Sequence, residues 1–478
     1  MQKFKYSKQN YIIMIRKIFI DRKEELNFLE ERYNKKGFEF IVLTGRRRIG
    51  KSRLLEEFCK DKPAIFLMCE NRKLEYNLDK FNEKIGEFFE ISKPNFKSFR
   101  DCLHFIVKSY KDNRKLVVVI DEFSYLVKNP DVVGEFQGIV DEILKDKDLM
   151  LILSGSMISL MERHLLGKNS PLYGRTTGSI NLKPLRFMDL FKWFDTSNFD
   201  QIFKIYSVSD SIPRYLEFFE GRNAEKEIID NFFNSSSFLF REAYQLLSEE
   251  LREPETYFQI LEAIAFGNNK VTEIANYSYM SPKDVSIYLT RLLNLGFIKK
   301  SFPLIGKKRK RPIYEIKDNY FNFWFNFVSR YYSEIEFGYV DAPIEEFRKR
   351  FNTYLGKIFE SVILSLVREL KLFEFSKLGR WWHKDKEIDL LGLNERKKEI
   401  LFGEVKWKEN VDAKKVLKEL AEKAGFVDWY KRERKESFVV FAKSFKKKIE
   451  DFEGKKVYCF DLKDLEKMLE KRRNKKFK

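Results

Sequence analysis

The 478-residue chain is too long for one hydrophobic core, and its 44% hydrophobic and 16% aromatic content suits several packed domains rather than disorder. Its 92 Lys and Arg against 73 Asp and Glu give a net charge of +19, an excess that favours a polyanionic partner, nucleic acid above all, over a merely solvated charged surface. Four scattered cysteines and three histidines exclude a disulfide framework, a CxxC zinc site and a histidine-rich metal centre; with no apolar run of membrane-spanning length, a cytoplasmic protein without a membrane partner is expected.

Residues 1–19 read as an N-terminal extension in which Met14 is an alternative start. Strands are predicted at 38–44 (FEFIVLT), 64–70, 116–122 (LVVVIDE), 149–156 (LMLILSGS) and 179–185, with helices between them such as 136–146. Continuous apolar strands alternating with helices imply a parallel sheet covered on both faces. Between the first strand and the next helix lies GRRRIGKS, that is Gly45, Arg46, Arg47, Arg48, Ile49, Gly50, Lys51 and Ser52. It matches G-x-x-x-x-G-K-[ST] in the strand-to-helix setting the motif requires. The two glycines let the loop curl so that its N–H groups face phosphate, Lys51 reaches the β- and γ-phosphates, and the Ser52 hydroxyl ligates Mg²⁺. Asp121, at the end of LVVVID, is placed to hold Mg²⁺ through water, and Glu122 is the candidate base for an attacking water. ATP is therefore the expected ligand, with Mg²⁺. Ser154 or Ser156 would sense the γ-phosphate unless it is only a turn residue, and Arg175 in LYGRT is an arginine finger or an ordinary surface arginine.

FIDRKEELNFLEERY, GRRRIGKSRL, VVVIDEFSYL, LILSGSMISLM, PLYGRTTGSINLKPL and IPRYLEFF together resemble the archaeal ATPase family of the STAND/AAA+ assemblage over residues 20 to about 335. The resemblance implies that Arg22 and Glu24 belong to the lead-in motif, that Pro213 packs near the nucleotide base and that Arg214 is a second sensor. The family usually carries two glycines before that proline; here the residues are Asp210, Ser211 and Ile212.

Residues 254–330 read as three short helices and a basic hairpin, the layout of a winged helix-turn-helix. Ser281 and Pro282 suit the cap and first turn of a helix whose core face is Val285, Tyr288, Leu289, Leu292 and Leu293. Its other face, Lys283, Ser286, Thr290, Arg291 and Asn294, has the side chains that reach phosphates or base edges. The hairpin segment 299–311 holds seven Lys and Arg and no acid, which fits salt-dependent contact with double-stranded DNA. A winged helix used for protein contacts is the other reading. The later YFNFWFNFV is expected to be core.

In EIDLLGL and LFGEVKWK, Asp389 lies on one strand and Glu404 with Lys406 on the next, the last two on one face. Asp389 and Glu404 would ligate Mg²⁺ and Lys406 would orient or activate a water against a phosphodiester, while Glu360 on the helix LGKIFESVILSLVREL adds a further acid. This set resembles the PD-(D/E)xK nuclease-like fold of the DUF234 type over about 350–465; a scaffold without activity is the alternative.

The expected fold is α/β: a P-loop NTPase parallel sheet with a helical lid, followed by a winged helix-turn-helix and a small α/β nuclease-like domain. The expected boundaries are 20–190 for the ATPase core, 191–250 for the lid, 251–335 for the winged helix, 345–465 for the nuclease-like domain and 466–478 for a basic tail. The expected function is an ATP-binding, DNA-associated ATPase whose nucleotide state switches domain arrangement or homo-oligomeric assembly. An ATP-regulated, Mg²⁺-dependent DNA endonuclease and an ATP-gated signalling protein that cuts nothing are the alternatives.

Overall fold

A computed structural model describes residues 22–251, 253–306 and 312–475. The N-terminal extension, Met14, the basic hairpin tip Lys307–Arg311 and the last three residues of the tail lie outside the described residues. The chain divides into two compact units, one of residues 1–185 with Ile212–Arg214, the other of Arg186–Ser211 with Tyr215–Lys478.

In the first unit, α1 (Lys23–Tyr33) leads into β1 (Glu39–Gly45), α2 (Lys51–Cys59), β2 (Ala64–Met68), α3 (Leu74–Phe89), α4 (Phe99–Ser109), β3 (Leu116–Asp121), α5 (Pro130–Ile139), β4 (Leu149–Gly155) and β5 (Gly178–Leu182). The strands form one parallel sheet in the order β2-β3-β4-β1-β5. Successive side chains of a strand point to opposite faces, and at the centre of the sheet both faces are covered, which is why β1, β3 and β4 are buried along their whole length while the edge strands β2 and β5 are partly exposed. Phe40, Val42, Val118, Ile120, Leu151 and Leu153 pack with Phe81, Leu103 and Phe136 from α3, α4 and α5. Their neighbours Ile41, Leu43, Val117, Val119, Met150 and Ile152 pack with Leu29, Leu54 and Phe58 from α1 and α2. The helix expected at 136–146 is α5 continued by a π-helical turn, Val140–Leu144.

The second unit holds helices α6 (Phe199–Ser209), α7 (Ala224–Phe232) and α8 (Phe238–Glu250), then α9 (Pro254–Ala265), α10 (Val271–Tyr277), α11 (Pro282–Leu295) and the hairpin β6 (Ile298–Ser301)–β7 (Ile313–Ile316). Ser281 caps α11 through the Asp284 N–H, with Pro282 in its first turn. Of the expected core face Val285, Leu289 and Leu292 are buried and Tyr288 and Leu293 half-buried, while Lys283, Ser286, Thr290, Arg291 and Asn294 are exposed. The aromatic run forms α12 (Asn319–Phe327), with Tyr320, Phe321, Phe323, Trp324, Phe325 and Phe327 all buried. Its polar tips are satisfied: Tyr320 donates to Leu239 O at 2.9 Å and Trp324 to Phe240 O at 2.8 Å.

The long α13 (Asp341–Leu370) precedes β8 (Lys377–His383), β9 (Lys386–Asn394), β10 (Glu399–Lys406), α14 (Ala413–Ala424), β11 (Lys435–Ala442), β12 (Asp451–Phe452), β13 (Lys455–Phe460) and α15 (Leu462–Lys475). The sheet is mixed, in the order β12-β13-β11-β10-β9-β8, with β10, β11 and β13 parallel. One face buries Ile388, Leu391, Ile400, Phe402, Phe438 and Val440 against Leu417 and Leu420 of α14. Gly403 lies where β10 passes closest to its neighbours: a Cβ there would sit 2.8 Å from Leu390 Cβ and 2.9 Å from Val439 Cγ1. No helix among the described residues is long and apolar enough to cross a membrane.

Candidate phosphate loop and acidic cluster

The sheet order brings three strand ends together. Strand β4 lies between β1 and β3, so the loop after β1, Asp121 at the end of β3 and Ser154 on β4 converge. Gly50 caps α2 with φ 91°, a left-handed conformation open to glycine, and so delivers Lys51 and Ser52 in the first helical turn. Gly45 is held close, since a Cβ there would meet Leu182 O at 3.0 Å.

Lys51 is buried, donating to Gly45 O at 3.1 Å and Arg46 O at 3.2 Å, with its ammonium 3.5 Å from Glu122. Burial lowers its pKa, and Glu122 and Asp121 offset part of that. Asp121 accepts from both serines, Ser52 at 2.5 Å on one oxygen and Ser154 at 2.5 Å on the other. Glu122, in the left-handed region at φ 51°, accepts from Ser156 at 2.7 Å. The set is a ring of donors and acceptors around one loop, and an oxygen pair such as Ser52 with Asp121 suits Mg²⁺.

The remaining predicted residues divide. Arg22 donates to Ile49 O at 3.2 Å, so it braces the loop, whereas Glu24 is exposed. Arg47 donates to Tyr125 Oη at 3.2 Å, and Arg48 is exposed with its carbonyl accepting the Arg214 N–H at 3.4 Å. Pro213 and Arg214 are thus beside the loop. Arg175 is not: its guanidinium grips Asp141 at 2.7 Å through two nitrogens, and its other contacts are the carbonyls of Pro171 and Tyr173. In place of the family's two glycines, Asp210 and Ser211 take φ 52° and 56°, so these residues adopt the conformation glycine would supply.

In the second unit, Glu360 on α13 and Glu387 and Asp389 on β9 offer carboxylate oxygens that all lie within 4.8 Å of one another. Three hard oxygen donors at that spacing fit Mg²⁺ or Mn²⁺. Asp389 is 8% exposed and accepts the Val405 N–H at 2.9 Å; burial and Glu404 push it up to about 7. Burial and Asp389 push Glu360 up to about 8. Glu404 is buried and held by two lysines, Lys406 at 2.6 Å and Lys423 at 2.9 and 3.1 Å. Burial works against the Lys406 ammonium, but Glu404, Asp389 and Glu360 keep its pKa above the usual value.

The structure therefore brings Glu360 and Asp389 together, but Glu404, expected to ligate the metal beside Asp389, lies outside that group: its carboxylate is taken by Lys406 and Lys423, and Glu387 stands in its place. Glu387 and Lys423 were not singled out. Glu387 had a signal, being two residues before Asp389 on the same strand; Lys423, on the helix after the strand, had none.

Residues 19–219 match the model of an ATPase domain predominantly from Archaea. Residues 324–416 match a family described as archaeal and bacterial proteins of unknown function. An uncharacterized protein of Methanocaldococcus jannaschii is 38% identical over 461 residues, 94% of this chain and 100% of its own. An uncharacterized ATP-binding protein of the same organism is 47% identical over 45 residues, 9% of this chain and 76% of its own. A Walker-type ATPase of Pyrococcus abyssi has a similar fold, with TM-score 0.51 and 22% identity over 64% of this chain and 96% of its own.

Proposed function

Because this chain belongs to the family of ATPases found predominantly in Archaea, with the domain of unknown function shared by archaeal and bacterial proteins on its C-terminal side, we propose that it hydrolyses ATP with Mg²⁺ to switch a DNA-associated protein between arrangements. The observation that carries this reading is the constellation of Lys51 with Glu122 and of Ser52 and Ser154 with Asp121. Phosphate oxygens would take Lys51 from its carbonyls, Mg²⁺ would take Ser52 with Asp121, and Glu122 would orient the attacking water. A path for the switch is covalent. Ile212–Arg214 belong with the phosphate-loop unit, while the residues on either side belong to the other. A nucleotide that contacts Arg214 would act on the segment joining the two.

DNA association rests on the exposed face of α11, read here as the recognition helix of a winged helix, and on the basic hairpin. The test is fluorescence anisotropy of a labelled duplex over a salt series. Binding that weakens steeply with salt, and that is lost when Lys307–Arg311 are replaced by Gln, supports it. Binding unchanged by that replacement rejects the hairpin.

The acidic cluster favours a second reading, metal-dependent cleavage of DNA. Glu360, Glu387 and Asp389 would hold the cation, and Lys406, fixed by Glu404, would act on the attacking water. Plasmid and linear DNA incubated with Mg²⁺ or Mn²⁺, with and without ATP, would be cut by the natural protein and not by Asp389→Ala. No cutting with either metal would end this reading.

A further inference from the structure

The hairpin β6–β7 is seated against the edge strand β8. The Leu304 N–H donates to Arg380 O at 2.8 Å, and Leu304 and Ile305 pack on the core of the mixed sheet. Gly379 makes room for this, since a Cβ there would lie 3.1 Å from Leu304 Cδ1. The β8–β9 ladder is irregular at the same place, pairing Gly379 with Leu391 but Trp381 with Ile388, so that Asp389 and Leu390 both lie opposite Arg380. A bulge of this kind re-aims side chains.

Arg380 uses that position to join the hairpin to the acidic cluster. One guanidinium nitrogen donates to Glu315 on β7 at 2.8 Å; another donates to Glu387 and lies 4.0 Å from Glu360. Glu315 also accepts from Ser301 and lies 3.8 Å from Lys299, so it is fixed within the hairpin. The Arg380 Nε–H is buried without an acceptor. The guanidinium is permanently charged, so it cannot yield by losing a proton. It holds one of the three carboxylates that a divalent cation would need and stands 4.0 Å from a second, in an incompletely satisfied seat.

We infer that Arg380 is a positioning residue through which the hairpin sets metal binding at the acidic cluster: on Glu387 and beside Glu360 it is the cluster's own counter-ion, and a divalent cation binds as the guanidinium withdraws onto Glu315. This rests on the reading of Glu360, Glu387 and Asp389 as a metal site. Movement of the hairpin, by DNA or otherwise, then changes metal affinity without any hairpin residue touching the metal.

The test is a Mn²⁺ titration followed by electron paramagnetic resonance, without nucleotide. It uses the full chain carrying Ser52→Ala so that the phosphate loop contributes nothing. Arg380→Gln is expected to tighten Mn²⁺ binding about tenfold or more, and Arg380→Lys to return it toward the parent value. Glu315→Gln is expected to weaken binding severalfold, because the guanidinium loses its alternative seat. If Arg380→Gln fails to fold by circular dichroism, Glu315→Gln decides alone: weaker binding supports the inference and parent-like binding overturns it. Mn²⁺ binding that Asp389→Asn abolishes but both Arg380→Gln and Glu315→Gln leave unchanged keeps the metal site and overturns the role of Arg380. No Mn²⁺ binding by the parent or by Arg380→Gln overturns the metal site and the inference together.

Discussion

Lys51 is held by two loop carbonyls and stands beside Glu122, so phosphate must replace interactions already made. Glu122→Gln removes the acidic partner without changing size. It should bind ATP at least as tightly as the parent, while the hydrolysis rate falls about 10²-fold or more; equal rates would remove Glu122 from the chemistry. Asp389 shows the opposite electrostatics. Its folded pKa, about 7, lies above the ordinary 3.8, so the native state holds its proton more tightly than the unfolded chain. That contribution is complete below the unfolded value and is lost as pH rises through about 7. In urea melts without divalent metal, Asp389→Asn should therefore stabilise the chain by about 2 kcal/mol at pH 8 and by much less at pH 5; the same gain at both would contradict the burial argument. Ser211 carries two penalties, a left-handed backbone and a fully buried hydroxyl without a partner. Ser211→Gly should raise stability by about 1 kcal/mol, read from the same melts. The glycine requirement at 210–211 was visible from the resemblance as a missing pair. That Asp and Ser would adopt the glycine conformation was not, because local propensity argues against it and only surrounding packing enforces it.

At the scale of elements, legibility followed burial. Strands β1, β3 and β4 are buried along their whole length and stand out as apolar runs. Strand β8 is an edge with only two buried residues, and β13 is only partly buried, so KLGRWWH and KKVYCF show no comparable run. Helix α11 was legible from its cap and its spacing, yet its surface chemistry was not. Ser286 and Thr290 donate to Pro282 O at 2.7 Å and Ser286 O at 2.8 Å, so their hydroxyl protons are engaged with the helix itself. The strand carrying Glu404 depends on Gly403, which no charge pattern marks. Gly403→Ala should cost about 3 kcal/mol, because both clashing atoms belong to the packed sheet; a thermal melt within a degree of the parent would contradict that geometry.

At the scale of the molecule, the sequence contains no long Pro-, Gly- or Ser-rich linker, and the reason is visible in the chain path. It leaves the first unit after Leu185, returns for Ile212–Arg214 and leaves again, so the chain passes from one unit to the other three times. A linear reading identifies the phosphate loop from one short motif because its chemistry is local in sequence. The acidic cluster, its lysines and Arg380 come from five separate elements, and only the fold joins them. The most direct test of the ATPase account is the rate of phosphate release from ATP by the full chain with Mg²⁺, measured beside Lys51→Ala. The account predicts steady, Mg²⁺-dependent hydrolysis by the natural chain and background release by the variant; hydrolysis that survives Lys51→Ala would contradict it.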